Sequence, residues 1–121
     1  MANSRDRIAT LRARADFLSL TQSRDKMNLK PWLMAKVLKN PNELRVGWTL
    51  PKATGTAVVR NRLRRWVRVY LDNNRDGLLG LKFDVNLIFR KPRIGSLKDL
   101  KHEELDLELD KLFKRLSERK S

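Results

Sequence analysis

"AVVRNRLRRWVRVYL", residues 57–71, carries five arginines and no acid, yet valines, leucines and aromatics recur between them at helical steps. With Arg60 at zero and an advance of about 100° per residue, Val59, Leu63, Trp66, Val67, Tyr70 and Leu71 fall within an arc of roughly 140°. Arg60, Asn61, Arg62, Arg64, Arg65 and Arg68 sweep the rest of the wheel. The spacing therefore predicts an amphipathic helix from about Ala57 to Asn73, capped by Thr56 and ended near "NNRDGLLG". Solvated charged faces mix signs for i,i+4 support. Five uncompensated arginines repel one another instead, a cost that a polyanion reverses. Arginine's planar fork also binds phosphate bidentately and stacks on bases. A membrane surface suits a basic amphipathic helix as well, but here the apolar arc is needed to close a small core.

Upstream, "PWLMAKVLK" (residues 31–39) reads as a strand with Trp32, Met34 and Lys36 on one side and Leu33, Ala35 and Val37 on the other. The Asn-Pro chemistry of "NPNE" marks a turn, and "LRVGWTLP" (44–51) is a second strand, so the two are expected to pair as an antiparallel hairpin. "TLRARADFLSL" (10–20) is a short helix-like stretch, and residues 21–30 are irregular with room for an edge strand. Downstream, "KFDVNLIFRKP" (82–92) alternates Phe83, Val85, Leu87 and Phe89 against Asp84, Asn86, Ile88 and Arg90, a strand with a half-buried face. A last helix is expected from Leu97 to Arg119, with Leu105, Leu109, Leu112, Phe113 and Leu116 as its stripe. The order gives an α/β (α+β) two-layer sandwich around one small sheet. The helix between two strands is a crossover able to set them parallel.

The 121 residues make one domain, with residues 1–8 polar and expected to be flexible. No cysteine is present, so disulfides and thiolate metal sites are excluded. The single histidine, His102, lies among acids that alternate with leucines, which reads as a solvated helix face more readily than as a metal site. No apolar run approaches the ~18 residues of a membrane span, and the N-terminus lacks a signal-peptide core; a cytoplasmic location is expected. The net charge of +14 is lopsided: residues 97–121 carry seven basic and seven acidic groups, residues 1–96 carry 21 and seven. The body of the domain is built for a polyanionic partner.

The stretch "ELRVGWTLPKATGTAVVRNRLRRWVRVYL" (43–71), with its central "RNR" at 60–62, closely resembles the signature region of the bacterial ribonuclease P protein subunit. "LRARADFLSL" resembles that family's first helix and "KFDVNLIFRKP" its strand ending in Arg-Lys-Pro, so the likeness covers residues 10–93 in the family's order. The resemblance implies an α-β-β-β-α-β-α fold around a mixed sheet, with a left-handed crossover that general rules do not predict. It also implies a ribonucleoprotein in which the RNA subunit, with Mg²⁺, removes the 5′ leader of precursor tRNA. On that resemblance Arg60, Asn61, Arg62, Arg64, Arg65 and Arg68, with Lys52, contact the catalytic RNA, and Phe17 is the first aromatic of a cleft that holds the single-stranded leader. The family's second aromatic, one helical turn on, is Thr21 here. On the facing strand Met34 or Lys36 stands where an aromatic is common, and Trp32, sharing their side, is the candidate for the missing ring. Plain core packing is the competing reading of Phe17 and Trp32.

No histidine pair, Gly-rich phosphate loop or nucleophile elbow is visible. Phosphodiester hydrolysis then leaves the metals, Mg²⁺ in the holoenzyme, to the RNA, with no catalytic residue and no cofactor bound by protein side chains alone. The partners expected are the catalytic RNA and precursor tRNA, with neither DNA nor membrane. The arginine helix lacks a helix-turn-helix partner and carries Asn61 as its single amide, which suits phosphate contact over base readout. A structural RNA-binding protein of ribosomal type is the alternative.

Overall fold

The computed structural model of the chain describes residues 7–119. The elements in order are β1 (Ala9–Thr10), α1 (Arg14–Thr21), β2 (Lys26–Lys30), β3 (Leu33–Lys39), β4 (Arg45–Thr49), α2 (Ala57–Asn73), α3 (Arg75–Leu78), β5 (Phe83–Phe89) and α4 (His102–Glu118). The expected α-β-β-β-α-β-α order is present, with the two-residue β1 and the single turn α3 added to it. The expected flexible terminus falls on residues 1–6, outside the described residues, and on Arg7 and Ile8, which are docked: Ile8 is buried in the core.

One five-stranded mixed sheet runs in the order β1-β4-β5-β3-β2. β3 and β4 are therefore not a hairpin. Both pair with β5, which lies between them, antiparallel to β3 and parallel to β4. The reason lies in the composition of β5. All of its residues but Ile88 are buried, so its expected half-buried face is covered as well, and only the centre of the sheet covers both faces of a strand. Asn40, in the expected turn, helps hold this arrangement: its backbone N–H bonds the Lys82 carbonyl at 3.1 Å, and its side-chain amide donates to Asp84 Oδ1 at 2.8 Å.

The period-two faces are as expected. Leu33, Ala35 and Val37 of β3 meet Phe89, Leu87 and Val85 of β5 in register, with Val46 of β4 beside Val85. This face packs with Leu63, Val67 and Leu71 of α2 and Leu105, Leu109, Leu112, Phe113 and Leu116 of α4 in one buried cluster, each large side chain contributing about 1.5–3 kcal/mol. α2 has the expected bounds and cap, with Thr56 Oγ1 accepting from the Val59 N–H at 3.3 Å. Asn74 ends it by donating both its backbone and side-chain N–H to the Tyr70 carbonyl. The last helix starts five residues later than expected. Ser96 caps a 3-10 turn over Leu97–Asp99, after which Leu100 and Lys101 are extended. That detour buries Leu97 and packs Leu100 against the core.

α1 lies on the opposite face, over Gly47. A Cβ at that glycine would stand 2.8 Å from Phe17 Cε1 and 2.9 Å from Leu11 Cβ, so the bare backbone is what lets the ring down onto the sheet. The expected helix from Thr10 is replaced by strand at its start, because the chain at 9–11 pairs with β4 and Leu11 N–H bonds the Val46 carbonyl at 3.1 Å.

Candidate nucleic-acid interface

The arginine face of α2 divides by what each side chain already holds. Asn61 and Arg65 are exposed, and no hydrogen bond or ion pair engages Arg65 among the described residues. Arg64 donates to Asn61 Oδ1 at 2.6 Å, within the same face. Arg60 Nε donates to the Gly55 carbonyl at 3.2 Å. Arg62 reaches off the helix: Nη2 donates to the Lys98 carbonyl at 2.7 Å, and its guanidinium lies 5.2 Å from the centre of the Trp66 ring. Trp66 stacks in turn on His102, 4.9 Å away and nearly parallel. His102 faces Asp106 at 3.4 Å, whose carboxyl is held above its usual range chiefly by burial, the histidine opposing. Arg68 donates to the Ile8 carbonyl at 3.0 Å and lies 3.6 Å from Asp72. Arg62 and Arg68 thus brace the fold, while Asn61, Arg64 and Arg65 face outward. Lys52 is exposed in the turn at 52–54 that leads into the helix.

The second set of expected residues lies across the sheet. Strand pairing sets Gly47, Asn86 and Lys36 in one row on the α1 face, and Thr49, Ile88 and Met34 in the next. Phe17 stands over the first row on Gly47. Lys36 Nζ donates to the Thr21 carbonyl at 2.6 Å, where an ammonium at a helix C-terminus also meets the negative end of the dipole. Thr21 Oγ1 donates back to the Phe17 carbonyl at 2.9 Å. Phe17, Met34 and Lys36 are thus gathered on one half-buried surface. Trp32 is placed apart from them. It precedes β3, packs against the core on the other side of the sheet, and lines an open pocket with Pro31, Pro92, Arg93 and Ile94.

One network was not legible from motif or spacing. Arg45 donates to both Asp84 oxygens, at 2.8 and 2.7 Å, and to Asp16 Oδ2 at 3.2 Å. It ties α1 to the sheet beside Phe17, and hydrogen bonding to Asp84 holds its guanidinium firmly protonated. The one available signal was Asp84 itself, an acid inside an apolar strand. Among the described residues no three His, Cys, Asp or Glu side chains gather to hold a metal ion, and no helix is long and apolar enough to cross a membrane.

Comparison with known proteins agrees with this geometry. The ribonuclease P family model matches residues 6–117. The ribonuclease P protein component of Desulforapulum autotrophicum is 38% identical over 103 residues, covering 85% of this chain and 84% of its own. That of Bacillus velezensis is 41% identical over 75 residues, covering 62% and 60%. Among solved structures, the ribonuclease P protein of Thermotoga maritima superimposes with a TM-score of 0.74 at 28% identity, over 88% of this chain and 96% of that one. The Staphylococcus aureus protein shares the fold, with a TM-score of 0.72 at 21% identity over 87% and 92%. With its arginine helix, its mixed sheet and a family match running almost end to end, the chain belongs to the ribonuclease P protein family.

Proposed function

We propose that the outward side chains of α2, Asn61, Arg64 and Arg65, with Arg60 and Lys52, bind the phosphates of the catalytic RNA, while Arg62 and Arg68 present the helix at its working position and add their charge. Family membership makes the chain the accessory protein subunit of an endoribonuclease and gives it a part in tRNA 5′ processing; the ribosomal-type alternative is not favoured. The observation that carries the RNA assignment is Arg65, an exposed guanidinium amid like charge and without a partner among the described residues. Such a surface gains most from a polyanion, and its binding weakens steeply with salt.

Across the sheet, the surface of Phe17, Met34 and Lys36 suits the single-stranded 5′ leader of precursor tRNA. The Phe17 ring offers a face for a base, and Lys36 supplies nearby charge. Trp32, from its separate pocket, serves a strand only beyond that surface. On this reading the Mg²⁺ of the holoenzyme is held by the RNA, and what this chain does is bind and orient. A cytoplasmic location fits the role. The test is titration of the cognate catalytic RNA with wild-type and Arg64→Ala/Arg65→Ala protein at several salt concentrations. The variant is expected to bind more weakly with a shallower salt dependence; equal affinity and slope would refute the assignment.

A further inference from the structure

Arg60, Arg64 and Arg68 recur every four residues along one side of α2, a step of about 6 Å. The row ends in an open pocket at the edge of the sheet, lined by Arg7, Ile8, Ala9, Thr10, Arg12, Glu43 and Arg68. Three guanidiniums, two from the N-terminal segment and one from α2, therefore share one concavity. Two are tethered from outside its lining by Asp72, which accepts from Arg7 Nη2 at 3.0 Å and lies 3.6 Å from Arg68. Arg12 bonds only the Thr10 hydroxyl, at 3.3 Å, among the described residues. Glu43, exposed, lines the pocket too, and no hydrogen bond or ion pair joins it to any of the three arginines there.

Arg68 shows what this costs. Its Nε is enclosed without a hydrogen-bond partner among the described residues, a state that ordinarily carries a desolvation penalty. Burial, and then the nearness of Arg7 and Arg12, lower the proton affinity of its guanidinium, against the pull of Asp72. An anion of phosphate size seated among the three guanidiniums would offset their mutual repulsion. We propose that Arg7, Arg12 and Arg68 form a phosphate-binding site at the junction of β1 and α2, and that its ligand is a phosphodiester of the bound RNA. The inference rests on the reading of α2 as the RNA face. It extends that face around the edge of the sheet to Arg7 and Arg12, which flank the N-terminal strand and lie outside the motif.

The test has two arms. In the first, the catalytic RNA is titrated with wild-type, Arg12→Ala, Arg12→Lys and Arg64→Ala/Arg65→Ala protein across a salt series. Arg12→Ala is expected to weaken binding and to reduce the slope of log affinity against log salt by about 0.7–0.9, the value of one phosphate contact, with Arg12→Lys keeping much of the slope and the thermal midpoint unmoved in both. If the α2 double variant loses slope while Arg12→Ala keeps it, the pocket is no part of the RNA interface and this inference falls alone. If neither variant changes binding, the RNA reading of α2 falls with it. In the second arm, inorganic phosphate is titrated while arginine Nε–H resonances are followed by NMR. A saturable shift of Arg68 in wild type, absent in Arg12→Ala, is expected. A shift that never saturates would overturn the site. Saturable binding of free phosphate, together with unaltered RNA binding by Arg12→Ala, would overturn the assignment to RNA.

Discussion

The ring of Phe17 stands on the bare backbone of Gly47: a Cβ there would lie 2.8 Å from Phe17 Cε1. This contact sets how closely α1 approaches the sheet, and hence the shape of the surface assigned to the leader. Gly47→Ala is expected to cost about 1–3 kcal/mol, as overpacking commonly does, and to weaken binding of leader-bearing precursor more than binding of the catalytic RNA. Chemical denaturation and the two titrations check it. Unchanged stability would show that the ring moves aside freely.

Thr21 occupies the exposed position one turn after Phe17 and spends its hydroxyl on the Phe17 carbonyl. Thr21→Phe is expected to strengthen binding of precursor tRNA relative to mature tRNA, and Phe17→Ala to weaken it, each by up to roughly 1–3 kcal/mol, the scale of one base–aromatic stack. Affinities measured with and without the leader separate these effects from general RNA binding. Equal changes for both tRNAs would contradict the leader assignment.

Arg45 holds Asp84 through two short bonds, with the side chains 28% and 12% exposed. Arg45→Ala leaves the Asp84 carboxylate nearly buried, facing only Asn40, and is expected to destabilise the fold by about 3 kcal/mol, the low end for a broken buried pair because Arg45 still meets water. Arg65→Ala is expected to leave the denaturation midpoint unchanged. Similar midpoints for the two variants would mean that the network is not what holds α1 down.

Tyr70 donates to Asp110 at 2.6 Å and packs on Phe113. Burial first, then the bond to Asp110, raises its phenol well above the ordinary tyrosine range. An acid whose folded pKa is raised releases its proton sooner in the unfolded chain, so its stabilising effect is complete below about pH 10 and is lost as pH rises further. Tyr70→Phe is expected to flatten this alkaline decline while losing about 0.5–1.5 kcal/mol at neutral pH for the missing hydrogen bond. Denaturation midpoints between pH 8 and 11 check it; parallel declines would remove Tyr70 from the account.

The helix that faces the partner was legible because it carries its own signals: a 3.6-residue period, a capping threonine and an asparagine exit. Strand faces were legible for the same reason, since alternation in β3 and β5 is local. Pairing was not. "NPNE" reads as a hairpin turn, but the burial of β5 on both faces places it between β3 and β4, and no local pattern records a neighbour 39 to 56 residues away. β1 has two residues, too few for any period. Arg62 and Arg68 looked identical to Arg65 on a helical wheel, yet they end on the Lys98 and Ile8 carbonyls. Side-chain reach across the fold decides which arginines also brace it, and spacing along the chain does not encode it. Trp32 shares the alternation of Met34 and Lys36 but lies before β3 begins, where the sheet no longer dictates which way a ring turns.

The central claim, that this chain assists an RNA-borne cleavage, is tested most directly by cleavage of a 5′-extended precursor tRNA by the cognate catalytic RNA at low Mg²⁺. Reactions are compared with no protein, with wild-type protein and with Arg64→Ala/Arg65→Ala. The account predicts a large rise in rate with wild type, a much smaller one with the variant at equal concentration, and no cleavage by the protein alone. A rate unmoved by wild-type protein that still binds the RNA would contradict it.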